Sequence, residues 1–180
     1  MTKFNVAAIN ACTEAEGPYK RLIIWFQGCN IHCQGCCNPD FQPLVPAHLL
    51  TLDELMAHIS EAKDKYDIEG VTYSGGEPTL QQNLPLLTDQ IHALGLGVIS
   101  FTGRCYEEVE AILGNCDVVL DGGYDVTQPE TKRRLLGSAN QRILPLTNRY
   151  SNILNDWFSQ CDKTIEVHVG STIIMNGDYV

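Results

Sequence analysis

The stretch Gly28-Cys-Asn-Ile-His-Cys-Gln-Gly-Cys-Cys-Asn-Pro39 constrains this chain more than any other, because it places Cys29, Cys33, Cys36 and Cys37 within nine residues. With no secretory leader expected at the start of the chain, thiols this dense read as metal ligands; disulfides persist mainly in oxidising compartments. The spacing Cys-x3-Cys-x2-Cys offers three thiolates, whereas a structural zinc site or a simple ferredoxin cluster takes four. On a 4Fe-4S cluster held by Cys29, Cys33 and Cys36, one iron is left open to a ligand that is not a side chain. Cys37 adjoins Cys36 in sequence, and two neighbours seldom reach separate corners of one small cluster, so Cys37 reads as a residue beside the cluster or a packing residue. Spacing alone leaves zinc open as an alternative, with His32 supplying a nitrogen.

The remaining residues must build a scaffold for that loop. A chain of 180 residues with 44% hydrophobic content fits one globular domain with a real core. Twelve Lys and Arg against 22 Asp and Glu give a net charge of −10, which argues against nucleic acid as the main partner. No apolar run approaches the ~18 residues of a membrane span, so no membrane partner is expected and the reading is cytoplasmic.

In order along the chain, Phe4 to Ala11 reads as a strand closed by a turn at Glu16-Gly17-Pro18, followed by the continuous apolar run Leu22-Ile-Ile-Trp-Phe-Gln27. Such a run suits a strand buried on both faces of a parallel sheet. The cysteine loop follows at its carboxyl end, the edge where open α/β sheets and barrels bind ligands. Thr51-Leu-Asp-Glu54 is a capping box, and Leu52, Leu55, Met56, Ile59 and Ala62 then repeat at helical spacing, with His58 off the stripe.

A further strand, Gly70 to Tyr73, runs into Ser74-Gly-Gly-Glu-Pro78. Gly75 and Gly76 let a ligand approach the main chain, whose carbonyls could receive an ammonium group, while Glu77 near a helix start suits the helix dipole. Asn83 is expected to cap a helix with Leu84, Leu87, Ile91 and Leu94 on its buried face; Val98 to Phe101 is a strand with Ser100 and Thr102 near its end. Their hydroxyls suit a sugar hydroxyl or a simple turn. A short helix is expected over Tyr106 to Leu113. Asp117 to Asp121 is a strand ending in a carboxylate that could bind a ligand or serve a turn. Lys132-Arg-Arg134 reads as a solvated face or a site for an acidic partner. Gln141 to Leu144 and Thr164 to Val169 look like strands, Ser151 to Gln160 like a helix, and Ser171 to Met175 like half of a terminal hairpin turning at Gly170. Cys12, Cys105, Cys116 and Cys161 are expected to be small buried hydrophobes. The alternation of strands and helices argues a mainly parallel α/β fold, and 180 residues fall short of a full eightfold barrel, so an open partial (β/α) barrel is expected.

These motifs carry a resemblance. Cys29-x3-Cys33-x2-Cys36 followed one βα unit later by Gly75-Gly-Glu-Pro78 resembles the radical SAM superfamily. Trp25-Phe-Gln-Gly-Cys29, Gln34-Gly-Cys36, Phe101-Thr-Gly103, Asp117-Val-Val-Leu-Asp-Gly122 and Gly137-Ser-Ala-Asn-Gln141 are similar, in that order, to the small activating enzymes of anaerobic ribonucleotide reductase and other glycyl radical enzymes. The match covers a core of about 16–142 within a single domain 1–180, leaving about 143–180 as an extension. The family often carries Gly-Pro-Gly before the first core strand and Gly-Gly-Asp-Pro in the glycine loop, where this chain has Gly17-Pro18-Tyr19 and Gly75-Gly-Glu-Pro78.

The resemblance implies that Cys29, Cys33 and Cys36 hold a 4Fe-4S cluster whose open iron takes the amino and carboxylate groups of S-adenosyl-L-methionine. A flavodoxin- or ferredoxin-like donor would supply an electron, and the released 5′-deoxyadenosyl radical would take a hydrogen atom, from a glycine of a protein substrate in the activating enzymes. By position, Gly75 and Gly76 with Glu77 would meet the methionine ammonium, Gly35, Cys36 and Cys37 would pack around the cofactor, and Ser100, Thr102 and Asp121 are candidates for the ribose or carboxylate. A radical SAM enzyme acting on a peptide or small molecule, and a non-catalytic zinc or electron-transfer module, remain as alternatives.

Overall fold

The computed structural model describes residues 2–159, 164–169 and 173–177. In chain order the elements are β1 (Lys3–Thr13), β2 (Arg21–Phe26), β3 (His48–Thr51), α1 (Leu52–Tyr66), β4 (Gly70–Gly75), α2 (Leu84–Ala93), β5 (Gly97–Phe101), α3 (Tyr106–Leu113), β6 (Val118–Asp121), β7 (Arg142–Pro145), α4 (Leu154–Phe158), β8 (Ile165–Val169) and β9 (Ile173–Gly177). Seven strands form one sheet in the order β3-β1-β2-β4-β5-β6-β7. The central strands β2, β4, β5 and β6 run parallel, while β1, β3 and β7 finish the edges antiparallel. The sheet does not close, because its edge strands β3 and β7 pair on one side only. This is the open partial barrel expected from the alternation of elements.

All six residues of β2 are buried, as its continuous apolar run required. Leu22, Ile24 and Phe26 enter the larger core with Leu55 and Ile59 of α1, Leu87 and Ile91 of α2 and Val109 of α3. The period-2 alternation of strands puts their neighbours on the other face. There Ile99 of β5 and Val118 and Leu120 of β6 pack with Leu136, Tyr150 and the α4 residues Leu154, Trp157 and Phe158. Helices α1 to α3 thus back one face of the sheet, and the segment after β6 covers part of the other.

Helix α1 starts at the expected capping box, with Thr51 Oγ1 accepting from the Glu54 amide and the Glu54 carboxylate accepting from the Thr51 amide. Its buried residues are Leu55, Ile59 and Ala62, and His58 is exposed. Helix α3 spans the expected residues. Asn83 stands at the start of α2 but makes no capping hydrogen bond through its side chain.

Several expectations are corrected. Residues 48–51, where no strand is expected from the sequence, form the edge strand β3 along the side of β1 that β2 leaves unpaired. Of Ser151 to Gln160, only Leu154–Phe158 is helical, after turns at 150–153, and Gln160 lies outside the described residues. The terminal hairpin is present as β8 and β9, paired from Ile165↔Gly177 to Val169↔Ile173, while the turn at Gly170 lies outside the described residues. Of the basic run only Lys132 is exposed: Arg134 is buried with its guanidinium 4.1 Å from the Trp157 ring centroid, and half-buried Arg133 donates to Glu130 and to the carbonyls of Gln141 and Ala139. Cys116 is buried, Cys12 is half-buried and Cys105 is exposed; Cys161 lies outside the described residues. No helix among the described residues is long and apolar enough to cross a membrane.

The largest wholly buried side chain among the described residues is Arg21, which the sequence reading passed over. Its guanidinium donates to Thr72 Oγ1 at 2.8 Å, Tyr150 Oη at 2.9 Å, the Val71 carbonyl at 2.8 Å and Glu69 Oε2 at 3.2 Å. One fully satisfied charge therefore ties β2, β4 and the segment before α4 together at the amino end of the sheet, opposite the end that carries the cysteines.

Candidate metal and cofactor site

The cysteine loop leaves the carboxyl end of β2 and is fixed by returning backbone bonds: the Gly28 amide donates to the Phe41 carbonyl at 2.8 Å and the Cys29 amide to the Gln42 carbonyl at 2.9 Å. Within the loop, the Ile31 amide lies 3.5 Å from Cys29 Sγ and the Asn38 amide 3.4 Å from Cys36 Sγ. Amides directed at ligand sulfurs tune the potential of a metal that those sulfurs bind.

The neighbouring strand β4 ends in the glycine loop. The Gly76 amide donates to the Phe26 carbonyl at 2.8 Å and the Glu77 amide to the Gly28 carbonyl at 2.8 Å, so this loop is stitched onto the strand that delivers Cys29. A Cβ on Gly76 would stand 2.2 Å from the Gly28 oxygen and 2.7 Å from the Phe41 oxygen, which only glycine permits. The Gly75 carbonyl faces the amide nitrogen of Asn38 at 3.4 Å.

Glu77 locks this rim. Its buried carboxylate accepts from the Thr79 amide at 3.1 Å, Thr79 Oγ1 at 2.6 Å, Thr102 Oγ1 at 2.8 Å and the Gly103 amide at 2.9 Å. The glycine loop after β4 and the Thr102-Gly103 loop after β5 are thereby held by one side chain.

These loops surround a cavity of about 190 Å³ at the carboxyl ends of the parallel strands. Its lining includes Cys29, Cys33, Gly35, Cys36, Cys37, Gly75, Gly76, Glu77 and Thr102, so the structure brings nine of the candidate residues to one place. Trp25, Ile31, Phe101, Tyr124, Leu135 and Leu136 add apolar wall, and Glu16 and Gly177 bring the terminal hairpin to its edge. That hairpin is held by Glu166 Oε2 accepting from Thr13 Oγ1 at 2.6 Å and by Glu16 Oε1 accepting from the Gly177 amide at 2.9 Å.

Ser100 and Asp121 are not brought into the lining. Ser100 is wholly buried and its hydroxyl contacts the Phe101 carbonyl. Asp121 is also wholly buried; it accepts from the Tyr106 amide at the start of α3 at 2.7 Å and pairs with Arg142 of β7. Its carboxylate is spent on joining β6 to α3 and β7. Thr102 lines the cavity, but its hydroxyl donates to Glu77 and accepts from the Arg104 amide, so it serves the rim. Cys37 is open to the cavity, not packed, and its thiol is pushed up to about 11, first by desolvation inside the cavity walls and next by Cys36 beside it.

The donor set fits a cluster. All four thiols of the loop, Cys29, Cys33, Cys36 and Cys37, line one cavity, so three can be offered to a cluster with Cys37 beside them. A cluster takes one thiolate per iron and so asks its ligands to stand apart. His32, the nitrogen ligand of the zinc reading, is exposed and absent from the lining.

Sequence reasoning missed Trp25, Tyr124, Leu135 and Leu136 as parts of the site. The last three come from the segment after β6, whose irregular backbone has no hydrophobic period to read. The visible signals were Gly122-Gly123 and Gly137, which break the chain on either side.

Comparison with known proteins adds to this geometry. A family model described as a 4Fe-4S single cluster domain matches residues 15–144. The pyruvate formate-lyase-activating enzyme of Clostridium pasteurianum is 32% identical over 148 residues, covering 74% of this chain and 60% of that protein. The anaerobic ribonucleoside-triphosphate reductase-activating protein of enterobacteria phage T4 is 29% identical over 149 residues, covering 77% of this chain and 92% of that protein. The pyruvate formate-lyase-activating enzyme of Staphylococcus aureus is 28% identical, and the chain spans 65% of its length. The chain thus spans less than two thirds of the pyruvate formate-lyase activators it matches. Among solved structures, that of QueE from Escherichia coli superposes with a TM-score of 0.52 and 17% identity, over 71% of this chain and 74% of that one. That likeness speaks for the fold alone.

Proposed function

We propose a function from the premise that this chain belongs to the 4Fe-4S single cluster domain family, with the resemblance to the radical SAM activating enzymes borne out by its relatives. It is a radical SAM enzyme that activates a glycyl radical enzyme, of the anaerobic ribonucleotide reductase kind. The observation that carries this reading is that Cys29, Cys33, Cys36, Gly75 and Gly76 line one apolar-walled cavity at the carboxyl ends of the parallel strands. The choice of target is supported by the phage relative, named as an activating protein of anaerobic ribonucleoside-triphosphate reductase and 29% identical over 77% of this chain.

A 4Fe-4S cluster held by Cys29, Cys33 and Cys36 would supply one-electron reductive cleavage of S-adenosyl-L-methionine and, through it, abstraction of a glycine hydrogen. The chain's own residues prepare the site. Cys29, Cys33 and Cys36 would supply the ligands, with the Ile31 amide directed at Cys29 Sγ and the Asn38 amide at Cys36 Sγ. Gly75 and Gly76 bring main chain close enough for their carbonyls to receive an ammonium group, and Glu77 keeps that main chain in place. Trp25, Ile31, Phe101 and Leu135 keep water from the reacting carbon. Cys37, next to Cys36 in the chain and in the same cavity lining, is assigned a place beside the cluster.

A small open barrel shields such chemistry only when a partner covers it, which is what a large protein substrate offers. A flavodoxin- or ferredoxin-like protein would deliver the electron in a reducing, cytoplasmic setting. The test is anaerobic reconstitution with iron and sulfide, followed by incubation with dithionite, S-adenosyl-L-methionine and a candidate reductase deuterated at glycine. Deuterium in 5′-deoxyadenosine together with a glycyl radical signal is the expected result. Unlabelled 5′-deoxyadenosine with every such partner, and label from a peptide or small molecule instead, would overturn the assignment of the substrate.

A further inference from the structure

Tyr124 follows the Gly122-Gly123 break at the end of β6, and the geometry around its ring is specific. A Cβ on Gly137 would stand 2.8 Å from Tyr124 Cδ2 and 2.9 Å from Cε2, with the next nearest heavy atom, Gln141 Oε1, at 3.8 Å. No other ring atom comes as close, so Gly137 meets the ring on its edge. On the opposite side, a Cβ on Gly35 would stand 3.3 Å from Cε1, with Val126 next at 3.8 Å and the Tyr124 hydroxyl oxygen at 3.9 Å, again an edge contact. Two residues without side chains make room for one aromatic ring between them. With a glycine facing each edge, the ring has its faces to offer the cavity that it lines together with Cys36.

We infer that Tyr124 is the stacking plate for the purine base of the nucleoside cofactor, a role that rests on the proposed function. Flat apolar faces recognise flat bases, and the stacking of one base on an aromatic ring is strong enough to shift affinity about tenfold or more. Other lining rings are less suited: Trp25 is 4% exposed and leans on Phe41 with centroids 6.4 Å apart, and Phe101 is packed against the inner core. Gly35 connects this to the metal, because it immediately precedes Cys36 in the loop. A base on the Tyr124 face would therefore lie next to the cluster loop.

The inference separates the base from the amino-acid end of the cofactor, and the experiment uses that separation. Reconstituted wild type, Tyr124→Leu and Tyr124→Phe are measured by equilibrium dialysis with S-adenosyl-L-methionine and, separately, with methionine, alongside iron content. Tyr124→Leu should weaken binding of the adenosyl ligand about tenfold, leave methionine binding unchanged and keep wild-type iron. Tyr124→Phe, which preserves the faces, should bind both ligands as wild type does. Equal binding of the adenosyl ligand by Tyr124→Leu, parallel loss of both ligands, loss of iron, or a loss in Tyr124→Phe would each overturn the stacking role. Failure of wild type to bind S-adenosyl-L-methionine would instead refute the proposed function, so the two readings fail in different ways.

Discussion

Replacing Glu77 by glutamine tests whether one carboxylate holds the rim of the cavity. Glu77 is 1% exposed; its Oε1 accepts from the Thr79 amide, Thr79 Oγ1 and Thr102 Oγ1, and its Oε2 from the Gly103 amide. The glutamine carbonyl can keep the three donors on one side, but its NH2 then faces the Gly103 N–H, donor against donor. A buried amide left without an acceptor costs about 1–3 kcal/mol, and the surviving bonds lose their charge assistance. Burying an amide in place of a charge offsets part of that. The net loss is therefore about 2 kcal/mol, which for a chain of this length lowers the melting temperature by about 4–8 °C. Glu77→Ala strands the Thr79 and Gly103 amides together and should cost about twice as much. The assay is thermal unfolding of the cluster-free protein under reducing, anaerobic conditions, with amide exchange read at Gly103 and Thr79. Melting of Glu77→Gln within ~1 °C of wild type, or unchanged exchange at Gly103, would refute the locking role.

Four further outcomes follow from the same structure. Cys29→Ala, Cys33→Ala and Cys36→Ala should each abolish incorporation of a four-iron cluster, while Cys37→Ala should hold iron and sulfide at wild-type content, read by metal analysis and the visible absorption band. Gly76→Ala forces a Cβ to 2.2 Å from the Gly28 oxygen; backbone on both sides cannot yield, so denaturant unfolding should show a loss of about 2–3 kcal/mol, near the upper end of single substitutions. Arg21→Lys replaces a planar fork with a point charge among acceptors on Thr72, Tyr150, Val71 and Glu69, and should lose about 3–5 kcal/mol in the same assay. Burial pushes the Cys116 thiol from 9.0 up to about 12, so the folded chain keeps a proton that the unfolded chain gives up. That stability is fully present below about pH 9 and is lost as pH rises toward 12, and Cys116→Ala should flatten the alkaline limb of stability against pH by up to about 1.4 kcal/mol per pH unit.

What the sequence made legible was chemistry confined to short stretches. The cysteine spacing and the diglycine could be read because each lies in one loop next to a recognisable strand, and the two strands pair in parallel, Trp25 with Ser74 and Phe26 with Gly75, which puts both loops on one rim. The α1 capping box was legible because both partners lie within one turn. What stayed hidden depends on contacts distant in sequence. Glu77 looked like a helix-start carboxylate, yet two of its four bonds reach Thr102 and Gly103 on the next loop. Asp121 looked like a binding carboxylate until Arg142 of the antiparallel edge strand arrived beside it. Arg134 looked solvated until Trp157 came under it. Tyr124 could not be singled out, because its setting is made by two glycines 102 residues apart, Gly35 and Gly137.

The account stands on one iron that no side chain holds. Mössbauer spectra of protein reconstituted with isotopically labelled iron, taken with and without S-adenosyl-L-methionine, test it directly. The account predicts a four-iron cluster in which a single site changes its parameters when the ligand binds, in wild type and in Cys37→Ala alike. Four irons unmoved by the ligand, a fourth thiolate ligation that disappears in Cys37→Ala, or tetrahedral zinc in place of iron would contradict it.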